Sequence, residues 1–328
     1  MNFEPSGQVK LLQETLQRVL AGLPQPIRWE PGRWHDDHSE AVAGELGRVG
    51  WTALWESDEG LRFAVAGGLV LGRTLAPLSL VDLPALGALL WLDGLVRYGR
   101  HGAVAARPAG RGLVLVGVPA DAPAAATMDD IGAVFVGEPR ELGVIPEPEA
   151  GRRLRTWAAC TAAYLAGLAG EALKRALDYA RVRQQFGKPL ASQPVVQQYL
   201  ADGAVGVEGL ELLAWELVAG TDWVGPLLYA GSVAVAVTDT AQQLLGAYGF
   251  AVESGAHRFY RRAKAMAVWN RRLIELSAVV DDAGAGPGDD GAAGRPGVRG
   301  GSGGPGKGIG TLQKPEARGG QTGGPLGP

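Results

Sequence analysis

From Leu154 onward the chain keeps a single hydrophobic period almost to residue 280, and few folds accept such a pattern. Leu154, Trp157, Thr161, Leu165, Leu168, Ala172 and Leu177 recur at three- and four-residue spacing, with Ala and Gly between them. That spacing puts the apolar side chains on one helical face. The interleaved small residues let helix axes approach closely, as in a bundle. Ser192/Gln193–Val218, Leu227–Leu245 and Glu253–Val279 continue the pattern, so residues 150–280 read as a four-helix bundle.

Upstream, Val9, Leu12, Leu16, Val19 and Leu20 share one helical face that stops at Gly22 and Pro24. Ala41–Trp51, Leu61–Leu71 and Leu83–Leu92 read as further helices, giving an N-terminal helical region over residues 1–96. The period then changes. Gly112–Val118, Ile131–Val136 and Leu142–Ile145 are short, β-branched and bounded by Gly, Pro and Asp, which predicts a small β domain over 97–149. From Asp281 the chain is nearly devoid of aliphatic and aromatic residues. Such a segment cannot offset its ordering entropy by burial, so 281–328 reads as a disordered Gly/Pro-rich tail.

A formal charge of −3 without a basic stripe argues against nucleic acid as the main partner. Cys160 is the only cysteine, which rules out a disulfide within this chain and suits a reducing compartment. No secretory signal pattern precedes the first helix, and apolar runs such as Val224–Val237 fall short of a bilayer span. The expectation is a soluble, cytoplasmic protein with no membrane partner. Four scattered histidines and one cysteine give no metal-ligand spacing. Gly301–Gly308 nearly writes a phosphate loop but lacks the closing Ser/Thr.

Two motifs, roughly sixty residues apart, carry more information. The first is Arg183-Gln184-Gln185-Phe186-Gly187-Lys188, followed by Gln193 and by Leu200-Ala201-Asp202. The second is Ala241-Gln242-Gln243-Leu244-Leu245-Gly246-Ala247-Tyr248-Gly249-Phe250, followed by Arg261-Arg262-Ala263-Lys264. In this order they resemble the C-terminal helical domain of the acyl-CoA dehydrogenase family. The resemblance implies a mostly α, acyl-CoA dehydrogenase-like fold: an N-terminal helical region, a β domain reduced here, and a C-terminal four-helix bundle. It implies a flavoprotein that binds FAD and oxidises the CH–CH group of acyl-CoA thioesters. It also implies association, as a homo-oligomer or as a hetero-oligomer with a homologous subunit.

By the same resemblance, Arg183 meets the FAD pyrophosphate, Phe186 packs near the adenine, and Gln243, Gly246 and Gly249 form the turn that meets the AMP half. A guanidinium suits phosphate because it offers several donors in a fixed fork. Read without the resemblance, Arg183 is a favourable charge at a helix C-terminus and Gly187 its left-handed cap. Where the family writes its second glycine, this chain has Ala247. The family's catalytic carboxylate falls on Asn270 or, in a minority of members, on Trp157, and neither can take a proton. The T-E-P-x-x-G-S-D segment that lines flavin and substrate has no counterpart. Two further readings therefore stand beside the dehydrogenase: a non-catalytic subunit of a heteromeric enzyme, and a flavin-free helical scaffold.

Overall fold

Amphipathic spacing builds the N-terminal helices much as it predicts. In this computed structural model residues 6–284 are described, apart from 24–35, 58, 98–102, 110–111, 126, 128–132, 138 and 221. Helix α1 (Gly7–Ala21) buries Val9, Leu16 and Leu20, and the Ser6 hydroxyl accepts from the Val9 amide at its start. There follow α2 (Asp36–Arg48), α3 (Trp51–Leu54), α4 (Gly60–Arg73) and α5 (Ser79–Leu86). Almost every residue of α4 is buried, because it lies at the centre of the helical core.

The expected helix over Leu83–Leu92 is corrected. Gly87, at φ +74°, ends α5, and Leu89–Leu92 form strand β1 instead. A short apolar run fits a buried strand as well as a buried helix, and here the left-handed glycine and the neighbouring strands decide. The sheet thus begins before residue 97. Its other strands are β2 (Leu95–Arg97), β3 (Val104–Ala109), β4 (Gly112–Gly117), β5 (Ala124–Ala125), β6 (Ala133–Phe135) and β7 (Glu141–Ile145). They lie in the order β5-β6-β2-β1-β3-β4-β7, with β1 and β3 parallel and the other neighbours antiparallel. Alternation sends Leu90, Leu92 and Leu113 into the core shared with the helices, while Leu89, Val96 and Val116 make a second, smaller core.

Helix α6 (Glu149–Val182) opens the C-terminal bundle, which continues through a hairpin of β8 (Gln184–Gln185) and β9 (Lys188–Pro189). Then come α7 (Pro194–Ala219), α8 (Val224–Leu245), the single turn α9 (Ala247–Phe250) and α10 (His257–Gly284). Among the described residues no strand lies within 190–270. Glycine permits the closest contact, between α4 and α6: a Cβ at Gly167 would lie 1.9 Å from the Leu69 carbonyl oxygen, and one at Gly72 1.9 Å from that of Tyr164.

Helix α8 corrects the reading of Val224–Val237. At 22 residues it is long and apolar enough, by length and composition, to cross a membrane. Here Leu227, Ala230, Ala234, Val237 and Ala241 are buried in the bundle. Residues 281–284 are the end of α10, and the rest of the expected disordered tail lies outside the described residues.

Candidate functional site: a cleft at one end of the bundle

The end of α6 and the end of α8 meet across a cleft of about 460 Å³. Helix α6 stops where Arg183 turns extended (φ −70°, ψ 125°), its amide still donating to the Tyr179 carbonyl at 2.8 Å. The chain then doubles back. Gln184 faces Pro189, Gln185 faces Lys188, and the Leu190 amide donates to the Arg183 carbonyl at 2.7 Å. The two turn residues, Phe186 and Gly187, have φ +53° and +77°, the left-handed pair of a type I′ hairpin. Gly187 is therefore a hairpin residue rather than the helix cap, and Phe186 stands at the tip with 93% of its surface exposed.

On the facing side, Gly246 ends α8 at φ 58°, ψ −143°, a conformation essentially reserved for glycine. The turn leaves the Gln243 side chain and the Gly246 backbone facing solvent. Tyr248 of α9 stacks on Tyr179 of α6, with ring centroids 5.7 Å apart and planes at 11°.

Arg183, Gln243 and Gly246 thus line one cleft, with Tyr179, Gln185 and Tyr248 beside them. Phe186 and Gly249 are not in its lining. Gly249 is buried at the α8–α9 corner, where a Cβ would come 2.6 Å from the Gln242 carbonyl. Among the described residues the Arg183 guanidinium has no hydrogen bond or ion pair, so its donors stay available. An unpaired cation, an exposed amide, an open backbone turn and a tyrosine pair suit an anionic, aromatic ligand such as a nucleotide. Sequence reasoning missed both tyrosines. Tyr179 precedes Arg183 by one helical turn and Tyr248 lies inside the second motif, so spacing alone held the signal.

Trp157 and Asn270 lie elsewhere, in the core. Trp157 is fully buried and its indole N–H donates to Asp82 Oδ1 at 2.8 Å. Arg97, on β2, grips the same carboxylate through Nε (2.9 Å to Oδ2) and Nη2 (2.5 Å to Oδ1). The Arg97 guanidinium carbon also lies 5.9 Å from the centre of the Trp157 ring and 5.7 Å from that of Trp269. Asn270 is 1% exposed, and neither its amide nitrogen nor its oxygen has a hydrogen-bond partner. At the surface nearby, Arg272 Nε and Nη2 hold both oxygens of Asp93, at 2.6 and 2.8 Å, in the β1–β2 turn. This arrangement, too, escaped the sequence. Asp82 within an apolar run was its visible sign.

A helical bundle closed over one face by a small sheet, with a nucleotide-sized cleft at one end, defines the class. The profile described as "Acyl-CoA dehydrogenase, C-terminal domain" matches residues 150–270, so it is the bundle that resembles this domain of the family. Cyclohex-1-ene-1-carbonyl-CoA dehydrogenase of Syntrophus aciditrophicus is 38% identical over 107 residues, 30% of this chain and 26% of that protein. Human mitochondrial short-chain specific acyl-CoA dehydrogenase is 37% identical over 106 residues, again 30% and 26%. The chain therefore matches about a quarter of the length of these curated relatives. Two solved structures share the fold over much more of it. The ChsE4-ChsE5 complex from Mycobacterium tuberculosis aligns with TM-score 0.63 at 18% identity, covering 86% of this chain and 98% of that one. Butyryl-CoA dehydrogenase from Megasphaera elsdenii aligns with TM-score 0.63 at 16% identity, covering 85% and 99%.

Proposed function

We propose that this chain is a non-catalytic subunit of a heteromeric acyl-CoA dehydrogenase, holding the nucleotide half of FAD at an interface with a homologous, catalytic chain. One contrast carries the reading: the Arg183–Gln243–Gly246 cleft is open, while the two positions of the family's base are sealed in the core without an acid.

The cleft residues fit the ADP portion of the cofactor. Arg183 offers a free fork to phosphate, Gln243 a donor and an acceptor, and Gly246 a backbone with no atom within 4 Å of where a Cβ would sit. Bound FAD would supply the hydride acceptor for oxidation of the thioester. This chain's share is to bind and orient. Arg183 neutralises phosphate charge, and the stacked tyrosines wall the cleft. Proton removal requires a general base, and Asn270, a buried amide, cannot act as one near neutral pH.

Association is supported by the surface. Tyr248 in the cleft lining and Val182, Phe186 and Val195, each next in sequence to a lining residue, are exposed, as are Tyr199, Phe250 and Val252. A concentration of large apolar side chains is the usual mark of an interaction site. ChsE4-ChsE5 shows that this fold occurs in two-component complexes. The test is co-expression with a full-length homologous dehydrogenase, followed by the visible flavin absorption of the purified complex. A flavin-bearing complex whose chain alone is colourless is the expected result. A complex without flavin overturns the proposal.

A further inference from the structure

We propose that the β1–β2 turn is a seal, pinned to the bundle by an inner and an outer ion pair, which closes this chain's own crevice between sheet and helices. The inference rests on the reading above in one respect: it takes Trp157 and Asn270 as the positions where a base would stand.

The inner pin is Arg97 with Asp82. Arg97 belongs to β2 and Asp82 to α5, both are buried, and the Trp157 indole completes the carboxylate's hydrogen bonding from α6. A forked ion pair with an additional donor satisfies most of the lone pairs that burial would otherwise orphan. The outer pin is Arg272 with Asp93, two donors on two oxygens between α10 and the turn. Between the pins lies Trp269, one helical turn before Arg272 and flanking the Arg97 guanidinium. Asp93 and Gly94 take φ +49° and +80°, so the turn is a tight two-residue one and its carboxylate is aimed by a rigid backbone. Asn270 lies on α10 between Trp269 and Arg272, and is almost entirely removed from solvent.

The crevice is thus filled from within by Arg97 and two tryptophans. Position 270 is 1% exposed behind these groups, so on this reading the acyl-binding pocket belongs to the partner. The seal is also specific in its weak point. The inner pin is dry, while the outer pin is solvated and screened, so opening is controlled at Arg272–Asp93.

Thiol labelling tests this directly, because Cys160 is the only native cysteine and is fully buried. In the full chain, Asn270→Cys introduces a second thiol of similar size, and its reaction with a disulfide reagent reports each opening. The expected rate is far below that of an exposed thiol. Adding Arg272→Ala or Asp93→Ala should raise it about two- to fivefold, the effect of losing one exposed ion pair, and the two changes together should do little more than either. Labelling of Cys160 in the same samples reads global unfolding, and the thiol introduced at position 270 should label faster than Cys160 in every variant. Immediate labelling of Asn270→Cys, or a rate indifferent to Arg272 and Asp93, overturns the seal. An introduced thiol that labels no faster than Cys160 also overturns it, since it then opens only by global unfolding. These outcomes are independent of flavin content, so the seal can fail while the shared cofactor site stands.

Discussion

Arg183 combines a full charge with a planar fork, and the two contributions separate by substitution. In the co-purified complex, Arg183→Ala should lose most of the flavin, an effect of about tenfold or more in affinity if one charge-assisted contact is lost. Arg183→Lys keeps the charge without the fork and should fall between Ala and wild type; equal flavin content in all three would exclude a phosphate contact. Gly246 makes a different prediction. Its backbone angles are the obstacle rather than space, since nothing lies within 4 Å of the missing Cβ. Gly246→Ala should cost about 1–3 kcal/mol in a thermal melt. Cys160 should resist thiol reagents in the native chain, because burial, reinforced by the Asp82 carboxylate, pushes its thiol well above the ordinary range. At this scale the sequence showed Arg183, Gln243 and Gly246 because each sits in a local motif. Phe186 and Gly249 share those motifs yet fall outside the cleft, since a motif fixes order along the chain and not the direction a side chain takes.

Helix packing shows most plainly what periodicity can and cannot say. The long apolar pattern after Leu154 gives α6, α7, α8 and α10 almost to their ends, because a buried helical face must repeat every 3.6 residues. It cannot say which glycines mark contact. Gly167 touches the α4 backbone, so Gly167→Ala must push the two helices apart, at a cost of about 1–3 kcal/mol. Gly209, inside α7, has open space around it, and Gly209→Ala should instead gain up to about 1 kcal/mol from helix propensity. Thermal melts of the two variants should therefore move in opposite directions. The β1 strand did leave a local trace: Asp93-Gly94 between two apolar runs is a two-residue hairpin signal, which reading Leu83–Leu92 as one helix passed over. The Arg272–Asp93 pair adds a pH dependence. Arg272 donates to Asp93 and holds its carboxyl below the ordinary 3.8. The stability it adds is complete above that ordinary value and disappears as pH falls through the depressed one. Wild type should thus melt above Asp93→Asn at pH 7, and the gap should close as pH falls through the depressed pKa of Asp93. A gap that persisted in acid would show that the pair is not its source.

For the molecule as a whole, the expectation is dependence. Purified alone, the chain should not dehydrogenate an acyl-CoA at an ordinary rate, since loss of a general base costs about 10²–10⁴-fold. Asn270→Glu alone should not restore turnover, because the new carboxylate would sit behind the β1–β2 turn. Robust reduction of a dye acceptor by the single chain would refute both statements. The exposed Phe186 at its hairpin tip, with the apolar side chains beside it, has a consequence for the living cell. On the proposed function, a chain released without its partner would present an adhesive end to other proteins and to further copies of itself. Supply must then follow demand: synthesis in excess of the partner should yield aggregated or degraded chain rather than a free pool, and matched synthesis of the two should rescue it.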